Sequence, residues 1–149
     1  MPQSLAGMLT HIIFSTKHRR GLIVPELCRP LAGYLAGAFK EMDSPAVEIN
    51  AVADHVHVLC NLSKTHALAE VIGEVKKGSS KWAKTRAGSE DFYWQNGYGA
   101  FSVSPSMMDD VVSYVRRQEE HHRIVSFQDE FREFCRRHGV DLDERYAWD

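Results

Sequence analysis

Strand-like and helix-like segments alternate along the chain in the order β-α-β-β-α-β, and two further helical segments follow. That order predicts an α+β domain with a ferredoxin-like, or split βαβ, antiparallel sheet. Both crossover helices should cover one sheet face and leave the other free for a ligand or another chain, with the C-terminal helices added after the fourth strand. Size and composition agree. The chain has 149 residues, 44% hydrophobic and 26% charged, enough for one domain with one core. Residues 1–149 are therefore read as a single domain, and no repeat or linker divides them.

The elements follow in order. Leu9–Ser15 (LTHIIFS) is short, β-branched and aromatic, hence a strand. From Pro25 to about Met42, Leu27, Leu31, Tyr34, Leu35, Ala38 and Phe39 recur at helical spacing. Pro25 suits the first turn, Pro30 marks an irregularity near the start, and Pro45 ends the segment. Ala46 to Val52 alternates between Val47, Ile49, Ala51 and Glu48, Asn50, Val52. A turn near Ala53-Asp54 leads to a strand from His55 to Leu62. Thr65 to about Arg86 reads as a basic-sided helix with Thr65 as N-cap. After the Gln95-Asn96-Gly97 loop, Tyr98 to Val103 is the fourth strand, with Gly99 inside it. Ser104-Pro105-Ser106 opens a helix to about His122, Ser104 serving as N-cap. The last helix spans Phe127 to Arg137 and stops at Gly139.

Several function classes are disfavoured. No apolar run approaches the ~18 residues of a membrane span, so no membrane partner is expected. The three cysteines, Cys28, Cys60 and Cys135, are scattered. That pattern suits neither a disulfide framework nor a CxxC metal site, and with no visible secretory leader it points to the cytoplasm. The net charge is −2, but it is unevenly spread. Lys64 to Arg86 holds six basic and two acidic residues (6 − 2 = +4), whereas Glu119 to Asp149 holds nine acids and five arginines (5 − 9 = −4). Lys17, Arg19 and Arg20 form a second basic spot. Such segregation leaves room for an anionic partner on one surface. Lys17, Arg19 and Arg20, and Lys76, Lys77 and Lys81 on the basic helix, are candidates for phosphate contacts or else a solvated surface.

Two motifs carry chemistry. In Asp54-His55-Val56-His57-Val58-Leu59, the period of two sends His55 and His57 to one face and Val56, Val58 and Cys60 to the other. Two imidazoles so placed can chelate one metal ion or can simply be polar residues on a half-wet sheet. In Tyr114-Val115-Arg116-Arg117-Gln118, the tyrosine and glutamine are four apart on one helix face. Tyrosine can act as a covalent nucleophile or can be packed. His11 lies on the strand expected beside HVH, either as a third ligand or as a polar strand residue. His121-His122 is either a ligand pair or a structural helix end. Trp94 and Tyr98 could stack on bases or fill core.

HVH on a strand followed by YxxxQ on a later helix resembles the single-tyrosine HUH transposases of small hairpin-recognising insertion sequences (His, any hydrophobic residue, His). The surrounding text fits as well: Phe14 to Arg20 (FSTKHRR), Asp54 to His57 (DHVH), Trp94 to Ser102 (WQNGYGAFS) and Tyr114 to His122. The resemblance implies a sheet close to that of RNA-recognition motifs. It implies Mg²⁺ or Mn²⁺ held at His55, His57 and Gln118, with Tyr114 attacking a backbone phosphate of single-stranded DNA at hairpin-bearing ends. The product would be a 5′-phosphotyrosine link and a free 3′-hydroxyl. It also implies a homodimer in which the tyrosine helix can dock on the partner's histidine face. Two other classes stay open. A non-catalytic or domesticated nucleic-acid-binding module of the same fold would leave both motifs unused. A metal hydrolase built on His55, His57 and His11 would leave Tyr114 and Gln118 without a role.

Overall fold

A computed structural model describes residues 3–122 and 124–148. Four strands form one antiparallel sheet in the order β2-β3-β1-β4: β1 Leu9–Ser15, β2 Ala46–Ala51, β3 His55–Asn61 and β4 Gly99–Ser102. The two central strands, β1 and β3, pair along their whole length, with Ser15 opposite His55 and Ile13 opposite His57. The expected split βαβ order is therefore the order found, with strand ends shifted by one residue or so.

Pleat parity decides what each face holds. Ile12 and Phe14 of β1 and Val56, Val58 and Cys60 of β3 point to one side and are all buried. Against them lie α1 (Pro25–Glu41) and α2 (Leu68–Lys84). The α1 stripe of Leu27, Leu31, Leu35 and Phe39 repeats every four residues and is sealed from solvent. Each such side chain contributes roughly 1.5–3 kcal/mol of burial. Pro30 sits inside α1 without breaking it, close enough to the start that few backbone bonds are disturbed.

The second face departs from expectation, because it is not open. Ile13 and Phe101 on the sheet are covered by α5 (Phe127–Arg137) through Phe127, Phe131, Phe134 and Cys135. The amphipathic stripe of α5 needs an apolar partner, and the half-polar sheet face supplies one. Gly99 permits the close approach, since a Cβ there would lie 2.5 Å from the Phe131 ring. Gly139, at φ 65°, ends α5 in the left-handed turn that favours glycine.

Two helix starts and one helix interior also differ. Ser63, not Thr65, supplies the hydroxyl that caps the turn before α2, accepting from the Thr65 and His66 amides. Ser104 does not cap, because its hydroxyl pairs with that of Ser106. The segment expected as one helix to His122 is a 3₁₀ turn (Pro105–Met107), α3 (Met108–Arg116) and α4 (Gln118–His121), broken at Arg117 (φ −94°, ψ 18°). The carbonyls freed there find side chains. Asn50 of β2 donates to the Val115 and Arg116 carbonyls at 2.9 and 3.1 Å, and Gln118 Nε2 donates to the Tyr114 carbonyl at 3.1 Å. A short α6 (Glu144–Ala147) closes the described chain. Among the described residues no helix is long and apolar enough to cross a membrane.

Candidate active site

The centre starts from β3. His55 and His57 share a face, as the strand period requires, but both are buried (1% and 0% exposed) beneath the C-terminal helices rather than open to solvent. Each is oriented from behind. His55 Nδ1 donates to the Asp54 carboxylate at 2.7 Å, and His57 Nδ1 lies 2.8 Å from His11 Nε2 across the β1–β3 pair. The helices bring two more groups. His122, after α4, donates from Nδ1 to the Val125 carbonyl at 2.8 Å. Glu130 projects from the middle of α5.

The remaining ring nitrogens converge on Glu130. His57 Nε2 lies 3.0 Å from Oε1, His122 Nε2 3.2 Å and His55 Nε2 4.0 Å, while His55 Nε2 and His122 Nε2 are 3.0 Å apart. The other oxygen, Oε2, accepts from the Tyr114 hydroxyl and lies 3.2 Å from His121 Nε2. One carboxylate thus bridges the imidazole cluster and the tyrosine.

Charge and protonation follow from these contacts. Burial pushes His57 down to about 4 despite its bond to Glu130, so it is neutral near pH 7. Burial also pushes His11 well below the usual imidazole range, aided by His57. For Glu130 burial acts upward, but hydrogen bonds from His122 and His57 outweigh it and hold the carboxylate ionised. His122 is pulled down by burial and raised further by Glu130, and the net direction is up. Tyr114 is pushed up by burial, then by Glu130, so its hydroxyl keeps its proton.

These facts test whether the residues fit a cation. His55 and His122 have each committed Nδ1–H to a fixed oxygen acceptor. Their Nε2 lone pairs then face one another at 3.0 Å, which requires a positive charge between or upon them. In the ion-free protein the raised affinity of His122 for a proton supplies it. A metal ion would serve the same role, and the neutral His57 can offer Nε2 once its proton moves to Nδ1 and His11 accepts there. The four donor atoms of His55, His57, His122 and Glu130 all lie within 4.8 Å of one another. Gln118 is fully buried, and its Oε1 has no hydrogen-bond partner among the described residues. The donor set therefore fits a divalent ion.

The structure places the expected residues unevenly. His55, His57 and Tyr114 come together, with the His57 and Tyr114 ring centroids 5.9 Å apart. Gln118 stands beside the tyrosine with its amide turned to backbone. Lys17 and Arg20 are exposed on the turn after β1, at the end of the sheet where Ser15 pairs with His55. Arg19 donates to the Trp148 carbonyl at 2.9 Å and stacks near that ring. Lys76 is half-buried, and its ammonium is engaged by the Gln95 and Gly97 carbonyls, to which it donates. Lys77 and Lys81 are exposed on α2, across the sheet from the centre. Trp94 belongs to the core, whereas Tyr98 is 40% exposed. His11 stands behind His57 rather than with the converging donors.

Sequence reasoning missed Glu130 and left His122 as either a ligand or part of a structural helix end. The signal for Glu130 was present: it interrupts the apolar stripe Phe127, Phe131, Phe134, Cys135 at helical spacing. An acid on a buried stripe needs partners. A cavity of about 380 Å³ opens beside the Tyr114 and Glu130 side chains, bordered by His11, Val111, Phe134 and Arg137.

Sheet order, paired strand histidines and an adjoining tyrosine define an α+β domain with a histidine–carboxylate–tyrosine centre. The family model described as "Transposase IS200 like" matches residues 4–118, and the chain belongs to that family of transposases, whose general activity is DNA cleavage. A structure described as a possible transposase from Deinococcus radiodurans R1 is 19% identical with a TM-score of 0.61, covering 77% of this chain and 93% of its own. A REP-associated tyrosine transposase bound to a REP hairpin is 13% identical with a TM-score of 0.60, covering 83% and 73%. At these identities the two structures speak for the fold. No curated protein matches the chain.

Proposed function

We propose that this transposase cuts and rejoins single-stranded DNA at hairpin-bearing ends through a covalent link to Tyr114. The observation that carries the reading is the Tyr114 hydroxyl on Glu130, the carboxylate that also meets His57. A tyrosine nucleophile and a metal-competent histidine pair thus share one buried centre. A fold likeness to the hairpin-bound tyrosine transposase agrees with a hairpin substrate.

The chain's residues divide the work. Lys17 and Arg20 attract the DNA backbone at the His55 end of the sheet. Tyr114 Oη attacks the phosphorus, passing its proton to the Glu130 oxygen it already touches. The bond from phosphorus to the 3′ oxygen breaks, and that oxygen leaves as a 3′-hydroxyl after taking up a proton. The 5′ phosphate stays on Tyr114 and can be transferred to another 3′-hydroxyl by the reverse step. His55 and His57, with Gln118 Oε1 within the same buried region, would hold a divalent ion, Mg²⁺ or Mn²⁺. Such an ion supplies Lewis-acid polarisation of the scissile phosphate. Neutral imidazoles leave its charge undiminished.

Strand transfer handles two ends and each chain carries one such tyrosine, so a homodimer is the economical assembly. Tyr114 lies beside the histidines of its own chain. Sharing of sites between chains would show as cleavage restored on mixing His57→Ala with Tyr114→Phe protein after subunit exchange.

The test of the main reading is Tyr114→Phe, which keeps the ring and removes only the hydroxyl. It should bind a hairpin oligonucleotide as the wild type does and form no adduct that survives denaturation. An adduct in this variant would overturn the assignment.

A further inference from the structure

The imidazole cluster does not have the donor set that Mg²⁺ prefers. Mg²⁺ asks for octahedral oxygen ligands and keeps several waters. Here three imidazole nitrogens and one carboxylate oxygen converge, each side chain buried or nearly so. In a tetrahedral site with metal–ligand distances near 2.0–2.2 Å, neighbouring donor atoms stand about 3.3 to 3.6 Å apart. The measured separations among these donors include 3.0, 3.0, 3.2 and 4.0 Å. These four separations lie on either side of the tetrahedral value, and all the donor atoms lie within 4.8 Å of one another.

The backing groups point the same way. Asp54 and the Val125 carbonyl fix the Nδ1 protons of His55 and His122, and His11 can accept that of His57. Outer hydrogen bonds of this kind orient imidazoles toward a bound metal. Two donors come from β3 and two from the C-terminal segment, and His122 and Glu130 both lie beyond residue 118, where the family match ends.

We infer that His55, His57, His122 and Glu130 form a four-ligand site for a tetrahedral transition-metal ion of the zinc class, and that the bound ion fastens α5 to the sheet. The inference rests on the centre being a metal site, as proposed above; it puts a zinc-class ion on four side chains in place of the Mg²⁺ or Mn²⁺ and the Gln118 ligand of that reading, so that a scissile phosphate would reach the ion only by entering a fifth position. Its physical basis is that each half of the chain supplies only two donors. Neither β3 nor the α4–α5 segment can bind such an ion firmly alone, so ion affinity and α5 docking rise together. With α5 seated, Glu130 fills the fourth position.

The test uses the full chain, stripped with chelator and titrated with Co²⁺ as a spectroscopic probe. The expected result is the intense visible absorption of tetrahedral Co²⁺ at one ion per chain, displaced by stoichiometric Zn²⁺ and not by millimolar Mg²⁺. Glu130→Gln and His122→Ala should each weaken Co²⁺ binding tenfold or more. Circular dichroism confirms that both remain folded, and the isosteric Glu130→Gln guards against a packing artefact. In hydrogen exchange, Zn²⁺ should slow the α5 amides of the wild type and not those of Glu130→Gln. A weak octahedral spectrum, unchanged affinity in both variants, or α5 exchange indifferent to Zn²⁺ would overturn the inference. Adduct formation with Mn²⁺, measured on the same wild-type preparation, separates the two claims. An adduct without tetrahedral Co²⁺ sinks the inference alone, whereas tetrahedral Co²⁺ without an adduct sinks the strand-transfer reading and leaves the metal site.

Discussion

The strand β3 presents two environments one residue apart. Val56, Val58 and Cys60 enter a dry core against α1 and α2, where shape and area decide stability. His55 and His57 enter an equally buried layer against α5, where hydrogen bonds and charge decide it. The first face is almost wholly apolar, and the Ser79 hydroxyl buried in it is paired with the Trp94 indole at 2.8 Å. The second keeps Glu130, His11 and His122 out of water, each at a desolvation cost that its partners offset, and it also buries Gln118, whose Oε1 is unpartnered among the described residues. Burial alone therefore does not distinguish core from site on this sheet. The partners do.

The largest effect should come from His57→Ala, which strikes the polar face at its centre. Cleavage should disappear, since one of the converging donors is gone. The fold should also weaken by about 1–3 kcal/mol, because Glu130 and His11 lose a buried partner. An exposed sheet-face histidine would have left stability untouched, so denaturant unfolding of this variant separates the two pictures. A midpoint equal to that of the wild type would show that the polar layer does not hold α5 in place.

The dry face should answer in the opposite sense. Leu35→Ala on α1 should lower stability by about 2–5 kcal/mol through lost burial and a residual cavity. Adduct formation per folded molecule should stay the same, because α1 lies across the sheet from Tyr114. A loss of specific activity larger than the unfolded fraction would mean that the two faces are mechanically coupled through β3.

Acid should find the polar face before the dry one. His57 sits near 4 in the folded protein against an ordinary 6.5. Between those values the unfolded chain takes up a proton that the folded chain refuses, so stability falls as pH drops from 6.5 toward 4. Glu130 acts in the same sense, since its stabilising ionised form is lost as the pH falls further. His122 acts in the opposite sense, its raised proton affinity adding stability below 6.5 that fades as pH rises through its folded value. His11, also lowered by burial, acts in the same sense as His57, and the His57 shift alone should cost the ion-free protein on the order of 3 kcal/mol by pH 4, with α5 amides exchanging first. Thermal unfolding followed across this range checks the sign, and a flat profile would contradict it.

Much of this was legible in the chain. The order of elements, the β1 limits and the span of α5 follow from period, proline and glycine, which are local signals. The parity of His55 and His57 follows from the strand period alone. What was not legible is tertiary. The sheet face beneath α5 is half polar, so nothing in β3 announces that a helix will cover it. The break at Arg117 depends on Asn50, distant in sequence, accepting the role of a cap for α3. Lys76 reads as one more cation on a basic helix until the Gln95–Gly97 loop folds over its ammonium. Glu130 was available as an anomaly in an apolar stripe, but its partners lie more than 70 positions away on β3 as well as nearby.

The smallest effect should distinguish the two faces as DNA surfaces. Lys77 and Lys81 give α2 its basic side, yet α2 packs on the dry face and the tyrosine lies on the other. A strand whose scissile phosphate reaches Tyr114 follows the polar face and the turn after β1. Reversing both α2 charges, Lys77→Glu with Lys81→Glu, should therefore change hairpin affinity less than about twofold at moderate salt, leaving only long-range attraction to be lost. Reversing Lys17 and Arg20 should weaken binding more and flatten its salt dependence by roughly 0.7 for each single-strand phosphate contact removed. Arg20 is shared with Asp91 at 3.6 Å, a surface pair open to exchange with a phosphate. Affinity measured over a range of salt for both double variants reads the two slopes directly. A steeper loss for the α2 pair than for the Lys17 pair would place the DNA path on the helix-covered side. Tyr114 could then meet its phosphate only if the strand wraps the sheet edge.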